Sequence, residues 1–145
     1  MIRYNFSMQN VLDWRNDQED EAKLKLVQIK KRLNNEETYL QQLINENIQL
    51  KEKAALTRKV DIMRQQDLYK QVLDERIIQQ KLVVEQVLNE IKKAEEALLS
   101  AHKDKRVMEK LKEKEYEQYV ETLQLEEQKQ MDEFSTITFG RQAYQ

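Results

Sequence analysis

AKLKLVQIKKRLNNEETYLQQLINENIQLKEKA, residues 22–54, decides the fold. Steps of three and four through it land on Ala22, Leu26, Ile29, Leu33, Glu36, Leu40, Leu43, Asn47, Leu50 and Ala54. Eight of these ten positions are apolar, the alternation of a coiled-coil seam. Asn47 is a polar exception of the kind that costs stability and fixes register. The same steps work again on Leu73, Ile77, Gln80, Val84, Val87, Ile91, Ala94, Leu98, Ala101, Lys105 and Met108, where nine of eleven positions are apolar. Two seams interrupted between Ala54 and Leu73 predict two long helices packed on each other. The rival is one continuous helix that dimerises through the whole seam.

Composition agrees with long helices. The chain has 145 residues with one Gly, no Pro and no Cys; 36% are charged and 39% hydrophobic. Such a chain can bury a stripe along helices but lacks the turn residues of a β-fold and the apolar content of a broad core. Lys plus Arg (25) nearly cancels Asp plus Glu (27), which argues against nucleic-acid binding through counterion release. The lack of cysteine fits a reducing cytoplasm. No apolar run approaches a membrane span and the N-terminus lacks a signal-peptide core, so membrane insertion is not expected. With His102 the only histidine and no Gly-rich phosphate loop, the sequence predicts no enzyme, no metal and no cofactor. His102 itself reads as a surface residue.

AALTRKVDIMRQ, residues 54–65, holds the reversal, expected near 55–60. Thr57 is the predicted cap of helix two, with Asp61 in its first turn. Ser7 is the predicted N-cap of helix one, with Phe6 and Val11 at the spacing of a hydrophobic staple. Asp13, Asp17, Glu19, Asp20 and Glu21 cluster near that helix start. Helix one is expected over about 8–55 and helix two over about 60–134. STITF, residues 135–139, followed by Gly140, reads as a frayed end and a short tail.

These bounds make the arms unequal. Helix two outruns helix one by about 25 residues, roughly 40 Å at the α-helical rise. That segment contains Leu111, Tyr116, Tyr119, Val120, Leu123, Leu125, Met131 and Phe134, with Tyr116, Val120 and Leu123 on one helical face. An uncovered apolar stripe implies a partner, a second copy of the chain, or residues 1–7 folded back over its first turns. Charge changes along it: residues 103–114 carry six basic and three acidic side chains, and residues 115–133 seven acidic and one basic. Beside the seams, Tyr39, Ile44, Ile48, Leu68, Tyr69 and Ile78 either widen the packed stripe or form an exposed patch on the turn side. Trp14 has no place in either seam.

Three stretches carry a resemblance to a known family. FSMQNVLDWRNDQEDEAK, residues 6–23, resembles the start of the FliJ family of bacterial flagellar export proteins through Phe6, Gln9, Val11, Leu12, Asp13, Arg15, Glu21 and Ala22. RQQDLYKQVLDERI, residues 64–77, is similar to that family's start of helix two, with Tyr69 and Leu73 as the aromatic–Leu pair. LKEKEYEQYVETLQLEEQKQMDEF, residues 111–134, is similar to its charged C-terminal helix, with Lys129, Asp132 and Glu133 as the closing signature. The turn departs from the pattern: many members place Gly or Ser there, and this chain has AALTRKV.

The resemblance implies an antiparallel coiled-coil hairpin like the central γ stalk of rotary ATPases, at the cytoplasmic face of the membrane at the flagellar base. It implies three partners: the hexameric flagellar export ATPase, the membrane-embedded export gate, and export chaperones. The ATPase side is expected at Val11, Trp14, Leu111, Tyr116, Tyr119, Val120, Leu123, Asp132 and Glu133. The gate side is expected at Tyr39, Tyr69, Leu73 and Arg76. Two alternatives accompany this reading: a homodimeric structural scaffold, and the equivalent stalk of a virulence-type secretion system, from which only the terminal motifs lean toward the flagellar one.

Overall fold

The computed structural model describes residues 3–143. Two helices dominate it, α1 over Gln9–Leu56 and α2 over Val60–Ala143, joined by residues 57–59. No described residue takes a positive φ, so the reversal needs no glycine.

The helix ends differ from expectation in three places, each for a local reason. Ser7 does not cap α1. Its hydroxyl donates to Glu115 Oε2 at 2.9 Å and its N–H to Glu115 Oε1 at 3.3 Å. The Met8 carbonyl instead opens the helix, accepting from the N–H groups of Val11 and Leu12 at 3.0 Å. Phe6 is buried, but Val11, its expected staple partner, is exposed. Thr57 does not cap α2 either. It donates to the Lys53 carbonyl at 2.9 Å and so satisfies one of the free acceptors at the end of α1. Asp61 does lie in the first turn of α2.

The third difference is at the far end of α2, which continues helically through residues 135–143 instead of fraying. The two threonines there bond back to the helix through their hydroxyls. Thr136 donates to the Asp132 carbonyl and Thr138 to the Phe134 carbonyl, both at 2.8 Å. Gly140 sits inside the helix with no left-handed φ, so it is not a cap.

Contacts divide the chain into two units: residues Asp20–Ser100, and Met1–Glu19 with Ala101–Gln145. In the unit 20–100 the seams meet as two clusters. Leu26 packs with Val87, Ile91 and Ala94, flanked by Ile29, Leu33, Val83 and Leu98. Leu43 packs with Leu73 and Ile77, flanked by Leu40, Ile44 and Leu50. Partners in α2 come earlier as positions in α1 come later, so the helices run antiparallel. Polar pairs repeat the order: Arg32–Glu90 at 3.0 Å, Gln80 donating to the carbonyl and carboxylate of Glu36, and Asn47 donating to Asp74 at 3.2 Å. Val84 is half-buried. The seam is thus filled from within one chain, and the continuous dimerising helix is not the architecture.

In the second unit the same seams carry charge. Glu19, read from the sequence as part of an acidic helix start, is buried, with its side chain 5% exposed. Lys105 Nζ lies 3.4 Å from its Oε2 and His102 Nδ1 3.4 Å from its Oε1. Lys105 is, with Gln80, one of the two polar exceptions of seam two, and Glu19 continues seam one by a step of three before Ala22. Met108 and Phe6 supply buried apolar surface in the same unit, and Arg15 pairs with Asp104 at 3.3 Å.

Candidate partner surfaces

The first candidate surface begins where the non-helical residues 3–6 meet α2. The Tyr4 hydroxyl donates to the Lys112 carbonyl at 3.3 Å. The Tyr4 ring meets Tyr116 edge-on at a centroid distance of 5.2 Å and lies 5.2 Å from Tyr119. Burial, and then the nearby charge of Glu115, push the Tyr4 phenol above its ordinary pKa of 10.0. Lys112 Nζ donates to Gln9 Oε1 at 3.1 Å on the same crossing. Residues 4–7 therefore form a strap over the first turns of the predicted stripe. Tyr119 and Val120 are half-buried, while Tyr116 remains exposed.

The strap gives a direct test. Tyr4→Ala should raise amide exchange in residues 4–8 and 112–119, while the cooperative unfolding of the rest moves little. Aromatic pairs of this kind are worth roughly 0.5–1.5 kcal/mol beyond their buried area. Unchanged exchange in both segments would remove the strap as a structural element.

Beyond the strap every residue from 121 to 139 is exposed. Leu123, Leu125, Met131, Phe134, Ile137 and Phe139 are among them. Two shallow grooves run along this segment. One is lined by Lys129, Asp132, Glu133, Thr136 and Ile137, the other by Glu127, Gln130, Met131, Phe134 and Ser135. Asp132 and Glu133 thus stand beside Ile137, and Glu127 beside Met131 and Phe134: an apolar edge bracketed by carboxylates. The sequence reading missed Ile137 and Phe139 because it ended the helix too early. The signal was the Thr136/Thr138 pair, each able to donate its hydroxyl to the helix carbonyl four residues earlier.

The other predicted residues of this unit fall on different flanks. Continued outward by the same steps of three and four, the seams reach Leu12, Lys112 and Glu115; Val11 and Leu111 directly precede the first two, whereas Tyr116 follows the third. Register therefore puts Val11 and Leu111 on one side and Tyr116 on the other. Trp14 is 51% exposed, and the Arg15 guanidinium sits 4.7 Å from its ring centroid while also reaching Asp104. The cation–π contact orders an otherwise free indole.

On the unit 20–100, Tyr39, Tyr69 and Arg76 are exposed. Tyr39 and Arg76 directly precede the seam positions Leu40 and Ile77, and Tyr69 precedes Lys70, one step of three before Leu73, so they share a flank. Tyr69 donates to Glu46 Oε2 at 3.4 Å. Leu73, expected on this surface, is not: it is 0% exposed and lies in the Leu43–Ile77 cluster. The spacing that matched it to a family pair is also the seam spacing, and the seam claims it. Ile44 likewise packs inward, whereas Ile48, Leu68 and Ile78 are exposed.

Two antiparallel helices of unequal reach, with exposed flanks and an uncovered segment of the longer helix, define a helical hairpin. The family profile described as "Flagellar FliJ protein" matches residues 4–144, nearly the whole chain, and the chain belongs to the FliJ family. No curated protein and no solved structure gives a significant match. Family membership makes it a component of flagellar protein export. Among the described residues no helix is long and apolar enough to cross a membrane.

Proposed function

We propose that this protein is a non-enzymatic, stalk-like adaptor of the flagellar export apparatus, at the cytoplasmic face of the membrane. It binds the hexameric export ATPase through the uncovered segment of α2 and links it to the export gate and to export chaperones. The observation that carries this reading is the unbroken exposure of residues 121–139 with large apolar side chains along them. Such a surface is unfavourable in water unless another protein covers it. Its carboxylates orient that partner and raise its on-rate more than they add affinity. The flank with Tyr39, Tyr69 and Arg76 serves the gate, with Leu73 holding it from beneath. A secretion stalk of the virulence type would have the same physics; the family match favours the flagellar one.

The test measures binding of the isolated export ATPase to single variants. Leu123→Ala, Met131→Ala and Phe134→Ala should weaken binding, with at least one loss of tenfold or more, as interface anchors do. Helicity should stay unchanged, because all three side chains are exposed. Tyr69→Ala should leave ATPase binding intact. Full binding by all three α2 variants would refute the proposal.

A further inference from the structure

The turn of the hairpin carries an exposed surface that the export reading does not use. Leu56 is 85% exposed and Val60 63%, one on each side of the three residues 57–59. Ile62 and Met63 follow, both exposed. The last covered position of seam one is Leu50, and Ala54 is already exposed, so nothing in α1 reaches these side chains as core. The stretch KAALTRKVDIMR, residues 53–64, also holds Lys53, Arg58, Lys59 and Arg64, with Asp61 as its one acid. That is a local basic excess in a chain whose net charge is −2.

We infer that this turn seats on an anionic phospholipid surface. Leu56, Val60 and Met63 enter the boundary between headgroups and acyl chains, and Lys53, Arg58, Lys59 and Arg64 meet lipid phosphates. Bulky apolar residues within a ring of bases are the pattern of interfacial membrane contact. A bilayer fits better than an acidic protein groove because the apolar side chains come from both arms of a reversal. They project from a convex turn, and a fluid interface accepts a convex wedge without a matching pocket. Charge selects the turn over the acidic segment 115–133, which the same surface repels. The contact is peripheral and requires no spanning helix. It stands apart from the ATPase reading, which concerns other residues.

The experiment is sedimentation of the full chain with phosphatidylglycerol-rich vesicles, and with phosphatidylcholine vesicles as the neutral control. The wild-type chain should bind the anionic vesicles only, and less as salt rises. R58E/K59E should weaken binding by at least about 25-fold, taking roughly fivefold per charge lost. L56D/V60D should reduce it to background. K110E/K114E, in the other basic stretch, should bind within about twofold of wild type. All these positions are exposed, so circular dichroism should show unchanged helicity, and ATPase binding should also persist. Failure to bind anionic vesicles at low salt overturns the inference, as does equal loss in K110E/K114E. Binding to immobilised polyglutamate without binding to vesicles overturns it in favour of an acidic protein partner.

Discussion

Leu73→Ala should lower the unfolding free energy by about 2–5 kcal/mol, the range for truncating a buried leucine. Leu73 and Val87 are the two largest side chains with no exposed surface, one in each core cluster of the unit 20–100. Val87→Ala removes two carbons, about 1.6 kcal/mol at ~0.8 per carbon, plus a cavity cost that depends on how far the seam collapses. A two-helix core has few neighbours to close such a gap, so the Leu73→Ala cost should fall in the upper half of its range. Ile78→Ala and Leu82→Ala, on exposed positions of the same helix, should stay within about 0.5 kcal/mol of wild type. Urea unfolding followed by far-UV circular dichroism reads all four. If Leu73→Ala matched Ile78→Ala, the packing of Leu43, Leu73 and Ile77 would be wrong.

Lys105→Glu should be at least as damaging, costing about 3–5 kcal/mol in the unit that contains it, because it sets a second carboxylate against the buried Glu19. Lys105 Nζ is 3.4 Å from Glu19 Oε2, and the Glu19 side chain is only 5% exposed. Desolvation is the larger issue here. A buried ion pair is not strongly favourable over a well-packed apolar pair, so Glu19→Leu with Lys105→Leu together should be neutral or stabilising by about 1–4 kcal/mol. The single change thus destabilises and the double change does not, a pattern that an exposed ion pair would not give. Native-state hydrogen exchange in residues 9–19 and 101–112 localises the effect. A Lys105→Glu variant with unaltered exchange there would show that Glu19 lies outside the seam.

The seams were legible because burial in a hairpin this thin selects almost the same residues that periodicity does. From Ala22 to Leu50 and from Leu73 to Met108 every predicted seam position is buried or half-buried. The unequal arms followed from counting outward from the turn. What stayed hidden was decided by contacts between distant residues. Ser7 has cap chemistry, but Glu115, more than a hundred positions away, offers its N–H and hydroxyl two acceptors at once. Glu19 looks like one of five surface acids until Lys105 and His102 are placed against it. Leu73 belongs to a family-like motif and to a seam, and only its packing says which assignment governs. Residues 135–139 looked unsuited to a helix by propensity, yet α2 continues through them, with the Thr136 and Thr138 hydroxyls bonded to carbonyls four residues earlier.

The polar residues in the seams also have a mechanical consequence. In the unit 20–100, moving one helix past the other by a heptad would carry Gln80 from Glu36 to Ile29 or Leu43, where its amide meets a main-chain carbonyl again but loses the carboxylate. A hydrogen bond to a charged group contributes roughly 1.5–3 kcal/mol. Apolar seams alone would slide like a lubricated joint, since one leucine layer resembles the next. Gln80 and Glu36 act there as a key in a keyway. Shear along the axis must unseat them first, so a push or twist on one helix is passed to its neighbour instead of being lost as slippage.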